Sequence, residues 1–301
     1  MTRLGASFLA GALLLAAPAL AQEEAAHETG NDIVVTGERE KPSATTVNRQ
    51  ARDITDSRGD LLHSPLARIE DRLCPGVIGL KKDAAELMID RIRWNAERLD
   101  MWLAGEDGCA PNLIIAFVED GKREIAELYE KRPTLFQTLT IPEREALLAE
   151  TGPVRVWTTA QMRTRDGMPI QRRESLDAPP VVAMWMAHSK IYLAVREDIT
   201  QVVVLFDRAG VRGKTLIQLA DYATMRSFAR TKPADGDAAL DTVLALFDED
   251  AVPPDGMTEF DVAYLRSLYN GIPNLRAASR INGVSRELGR VVREQAEQER
   301  E

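Results

Sequence analysis

The sequence predicts an α+β fold, with an antiparallel or mixed sheet and packed helices, on three observations. "VVAMWMA" (Val181 to Ala187), "KIYLAV" (Lys190 to Val195) and "QVVVLFD" (Gln201 to Asp207) are runs rich in β-branched and aromatic residues. The connections between them are about two to five residues long, which suits hairpins better than helical crossovers. Helical patterns then follow in succession, and such segregation of strands from helices favours α+β over a doubly wound sheet.

The elements follow in order along the chain. Arg3 precedes an apolar run from Ala6 to Leu20, and small residues at Ala19 and Ala21 stand ahead of Gln22. One charge, a short apolar stretch and an A-x-A-like end are the parts of a secretory signal peptide, with Ala21 the last residue removed. No cysteine follows the cleavage point, which argues against a lipid anchor, and no later run approaches the roughly 20 apolar residues of a spanning helix. The mature protein is therefore expected in the periplasm or secreted, with no integral membrane segment.

Residues 22–65 are rich in Glu, Thr, Arg and Asp and read as a flexible leader, because they carry too little apolar surface to offset their ordering entropy. An α+β domain over residues 66–285 is expected to begin near Ile69 to Cys74. Asp83 to Ala104 places Met88, Ile92, Ala96, Leu99 and Trp102 at helical spacing, with Asp83 and Glu86 arranged as a capping box. Asn112 to Val118 reads as a buried strand, Gly121 to Lys131 and Pro142 to Glu150 as helices, and Pro153 to Thr159 as a strand. A polar stretch from Gln161 to Pro180 leads to the three runs named above. Helices are then expected at Lys214 to Arg230, Asp237 to Asp248 and Thr258 to Tyr269, with a charged C-terminal helix over residues 286–301.

Composition narrows the function classes. Hydrophobic content of 45% and charged content of 28% are those of a globular chain. The net charge is −9, which loss of Arg3 with the signal takes to −10. An acidic chain with dispersed arginines argues against nucleic acid as a partner. Cys74 and Cys109 permit one intramolecular pairing, and an oxidising compartment allows that disulfide to form.

Catalytic motifs are sought by spacing. "DRAGVRGKT" places Gly213, Lys214 and Thr215 between a strand and a helix, but a phosphate-binding loop needs glycine at position 208, where this chain has Arg208. An ordinary strand-to-helix turn is the plain reading. The histidines are His27, His63 and His188, and no two have the HExxH spacing of a zinc hydrolase. No G-x-S-x-G elbow offers a serine nucleophile. "DEDAVPPDG" (Asp248 to Gly256) misses the spacing of an EF-hand loop and reads as a solvated loop.

Two resemblances remain. Residues 190–271 carry "LIQLADYATMRSFA" (Leu216 to Ala229), "TVLALF" (Thr242 to Phe247) and "MTEFDVAYLRSLYNG" (Met257 to Gly271). This order resembles zincin-type metalloproteases and related secreted bacterial proteins of unknown function. In the HExxH register the histidines correspond to Ile217 and Asp221 and the base to Gln218, so the resemblance implies a degenerate zincin-like scaffold without its metal site. The second resemblance is that of "DIVVTG" (Asp32 to Gly37) to a TonB box, which implies that Ile33, Val34, Val35, Thr36 and Gly37 add a strand to a TonB-type envelope protein.

The expected function is a non-enzymatic exported protein of the bacterial envelope with a binding or accessory role, without catalytic residues, metal or cofactor. The alternative is a peptidase-like hydrolase on the zincin-like scaffold. Its site would be sought near Gln218, Asp221 and His188.

Overall fold

The computed structural model describes residues 41–57, 60–105, 108–170, 189, 191–234 and 238–300. The expected strand Val181 to Ala187, His188, and the TonB-box residues Ile33 to Gly37 lie outside them. Five strands, β1 (Arg68–Ile69), β2 (Pro75–Ile78), β3 (Leu113–Val118), β4 (Val154–Thr164) and β5 (Val195–Asp207), form one sheet. Seven helices accompany it among the described residues: α1 (Ala44–Asp53), α2 (Lys82–Glu97), α3 (Gly121–Lys131), α4 (Ile141–Ala149), α5 (Leu216–Phe228), α6 (Glu259–Tyr269) and α7 (Ala277–Gln298).

The sheet overturns the expected α+β class. β2, β3, β5 and β1 are all parallel neighbours, and only β4 runs antiparallel, against β5. The molecule is thus α/β with a mostly parallel sheet. β2, α2 and β3 form a parallel pair with a helical crossover, which a hairpin connection cannot make. The expectation failed at β5. "REDITQ" looks like a polar break between two hairpin strands, yet it forms the first half of β5, and of the described part of the expected strand Lys190 to Val195 only Val195 belongs to β5. Its polar side chains are paired within the sheet: Arg196 and Arg163 both form ion pairs with the fully buried Asp198. Burial still pushes the Asp198 carboxyl above the usual range, against the pull of Arg196.

Helices cover both faces of the sheet, as a parallel sheet requires. Leu113, Ile115 and Phe117 of β3 join Val202, Val204 and Phe206 of β5 on one face, packed with Met88, Ile92 and Ala96 of α2 and with α5, α6 and α7. The other face buries Leu205 and Trp157 against Ile125, Phe136 and Leu147, contributed by α3, the turn after it and α4. Each fully buried aliphatic or aromatic side chain contributes roughly 1.5–3 kcal/mol.

Local rules explain the helix bounds. Thr140, Thr215 and Thr258 each open a helix with a reciprocal capping box, to Glu143, Gln218 and Asp261. α2 instead starts after Lys81 without a side-chain cap, so Asp83 and Glu86 do not form the expected box. It stops at Glu97, short of Ala104, because Asp100 takes a left-handed conformation (φ +54°) that no helix continues. The chain then extends, Leu103 pairs beside Leu73, and Trp102 stands 72% exposed rather than on the buried face. α1 lies within the stretch read as leader, with Val47, Ala51 and Ile54 buried at helical spacing. Where a helix was expected over Asp237 to Asp248, only a 3-10 turn at Val243–Ala245 forms among the described residues.

Candidate ligand-binding cleft

Ligands of α/β folds bind outside the carboxyl ends of the parallel strands. At that edge a cleft of about 670 Å³ opens between the loop after β3, the loop before β4, the turn after β5 and the segment following the 3-10 turn. Glu119, Asp120, Asp207, Lys214, Asp248 and Glu249 supply its charged lining. Phe247 supplies an apolar wall, set edge-on against Tyr222 with ring centroids 5.0 Å apart.

Asp207 ends β5 and meets the start of α3. One carboxylate oxygen accepts the Gly121 N–H, and the other pairs with Arg155 Nη1 at 3.1 Å. Arg155 is buried and also donates to the Glu150 carbonyl at 2.8 Å. The N-terminus of α3, where strand ends and helix dipole would invite an anion, therefore holds a carboxylate from the chain itself. Only glycine fits at 121, because a Cβ there would run into the Asp207 carboxylate and the Arg155 guanidinium. Asp120 caps the same helix by accepting the Arg123 N–H at 3.0 Å.

The rim is acidic. Glu119 pairs with Arg208 at 3.1 Å, and Arg208 also donates to the Gly79 carbonyl. Lys214 follows Gly213, whose φ of +80° makes the turn from β5 into α5, and Thr215 caps that helix. Arg208 thus has a partner of its own at the position where a phosphate loop would need glycine. Asp248 accepts the Asp250 N–H at 2.8 Å, which shapes the acidic loop.

The positions in the HExxH register serve the packing. Ile217 is 50% exposed. Gln218 closes the capping box and donates to the Pro254 carbonyl at 2.9 Å. Asp221 is fully buried and accepts from Arg91 through both oxygens, from Asn95 at 2.7 Å and from the Met257 N–H at 2.8 Å. Among the described residues no group of three or more His, Cys, Asp or Glu is placed to hold a metal ion. His63 is exposed and bonded to Asp60 at 2.5 Å, on the segment between α1 and β1.

Cys74 and Cys109 form the expected disulfide, with Cα atoms 6.1 Å apart, tying the start of β2 to the loop before β3. This bond is compatible with an oxidising extracellular compartment. No helix among the described residues is long and apolar enough to cross a membrane.

The structure does not gather Gln218 and Asp221 into the cleft; it brings together Glu119, Asp120, Asp207 and Lys214. The residue signal for them was the end of each strand, "VED" after β3 and "FDR" after β5, which acquires meaning only once those strands are known to be parallel neighbours. Comparison with family models, curated proteins and solved structures finds no match to this chain.

Proposed function

We propose that this is an exported, non-enzymatic binding or accessory protein of the bacterial envelope, whose ligand sits in the acidic cleft and presents positive charge or hydrogen-bond donors to it. The observation that carries this reading is the engagement of Asp207. Its two oxygens are taken up by the Gly121 N–H and the Arg155 guanidinium. Glu119 is paired with Arg208 and Asp248 gives one oxygen to the Asp250 N–H, so Glu249 and the second Asp248 oxygen are the acceptors offered beside the apolar wall, a surface suited to holding a cation.

Calorimetric titration of the mature chain with a polyamine and with a basic peptide tests it. Saturable binding that is weakened about tenfold by Glu249→Lys or Asp248→Lys supports the reading. Equal heats from wild type and both variants, or preference for a polyanion, overturn it. Binding to a TonB C-terminal domain, compared with and without residues 31–40, tests the leader separately, and equal binding removes that part. Stoichiometric metal in protein purified without added zinc, together with peptide turnover, favours the hydrolase alternative instead.

A further inference from the structure

Methionine is ordinarily a core residue, and its thioether is a soft, polarizable donor. Most of the described methionines obey that rule: Met88 and Met225 are fully buried, while Met101 and Met257 pack partly buried against the main core. Met162 and Met168 break it, at 42% and 65% exposed; Met162 lies near the end of β4, and Met168 follows the turn beyond it.

The local hydrogen bonds place them on one face. Gly167 N–H donates to the Thr164 carbonyl at 3.0 Å, closing a turn whose left-handed position is Gly167 itself (φ +87°). Thr164 N–H donates back to the Met168 carbonyl at 2.9 Å, and Arg163 pairs antiparallel with Pro169. Thr164 therefore faces Met168 across the hairpin, and Met162, two residues earlier on the strand, shares their side. Diagonal neighbours of this kind stand roughly 7–8 Å apart at the backbone, within reach of two long flexible side chains. Two cations lie between them in sequence: Arg163 forms its ion pairs with Asp198 and Asp71 on the opposite side of the strand, and Arg165 stands in the turn, where its carbonyl accepts from Arg196.

We propose that Met162 and Met168 form a two-thioether site for a soft monovalent cation, Cu(I) in nature and Ag(I) as its redox-inert probe. Thioether sulfur selects such ions over zinc, calcium or magnesium. Both cysteines are consumed in the disulfide, so no thiolate of this chain competes for the ion. A thioether carries no proton to displace, so the affinity holds constant across the range in which a histidine site would fail.

The test uses the full mature chain labelled at the methionine methyl carbons, titrated with Ag(I) and followed by NMR, with resonances assigned from single Met→Leu variants. The Met162 and Met168 methyl signals are expected to move together and saturate at one equivalent, with the same midpoint at about pH 5 and about pH 7. M162L and M168L, which keep side-chain volume on an exposed surface, each weaken binding at least about tenfold and each suppress the response of the remaining methionine. Zn(II) leaves both signals in place. Independent saturation of the two signals, a Met168 response unchanged in M162L, or loss of binding at the lower pH overturns the site.

Discussion

Arg91 of α2 holds Asp221 of α5 by both carboxylate oxygens, Nε to Oδ1 at 2.8 Å and Nη2 to Oδ2 at 2.7 Å. Asp221 is fully buried and the Arg91 side chain is 26% exposed, and the same guanidinium lies 4.2 Å from the centre of the Trp94 ring. Removing the cation leaves a desolvated carboxylate with only Asn95 and one backbone N–H. Arg91→Ala is expected to cost about 3–5 kcal/mol in urea unfolding, and Arg91→Lys less, because lysine restores charge without the fork. A loss below about 1 kcal/mol in the alanine variant would show that the pair does not lock α2 to α5.

The contact of Gly121 with Asp207 predicts a second outcome. Alanine at 121 forces the carboxylate and Arg155 apart, and the expected loss is about 1–3 kcal/mol, the range for overpacking a fitted site. Asp207→Asn keeps the shape but leaves the buried Arg155 guanidinium without its carboxylate, so it is expected to cost at least as much as Gly121→Ala, about 3–5 kcal/mol. Equal melting temperatures for Gly121→Ala and wild type would contradict the fit.

Reduction of Cys74–Cys109 reopens a loop with a sequence separation of 35. On the chain-entropy account the bond contributes about 4 kcal/mol, so guanidinium midpoints should fall markedly when reductant is added. An unchanged midpoint would mean the unfolded chain is already constrained without it.

Burial pushes the Asp261 carboxyl up from 3.8 to about 6, against hydrogen bonds from Thr242, Thr258 and the Val243 N–H. The folded state therefore binds this proton more tightly than the unfolded chain. Its contribution is fully present below about pH 4 and is lost as pH rises through about 6, an effect of order 3 kcal/mol. Asp261→Asn removes that term, so its stability measured against wild type should improve on going from about pH 4 to about pH 7. A difference that stays flat across this range would place the folded Asp261 near its unfolded value.

Much of the helical frame was legible because its signals are local. The helices expected over Lys214 to Arg230 and Thr258 to Tyr269 form as Leu216–Phe228 and Glu259–Tyr269, and Met88, Ile92 and Ala96 mark the buried face of α2 by spacing alone. The sheet was not legible, because strand direction depends on partners far along the chain. Asp198 looks like a turn residue until Arg163 and Arg196 are seen beside it. Trp102 looks like the last buried turn of α2 until Asp100 reverses the backbone. The cleft shared this fate: Glu119 and Asp207 stand 88 positions apart in sequence and come together only because β3 and β5 end side by side.

The sulfur–sulfur bond encloses all of β2 and α2 within one covalent ring. A protease that cuts the extended stretch between Asp100 and Gly105 would therefore release nothing. Both fragments would stay joined, α2 would keep its ion pair with α5, and the injury would show on a gel only once thiol was added.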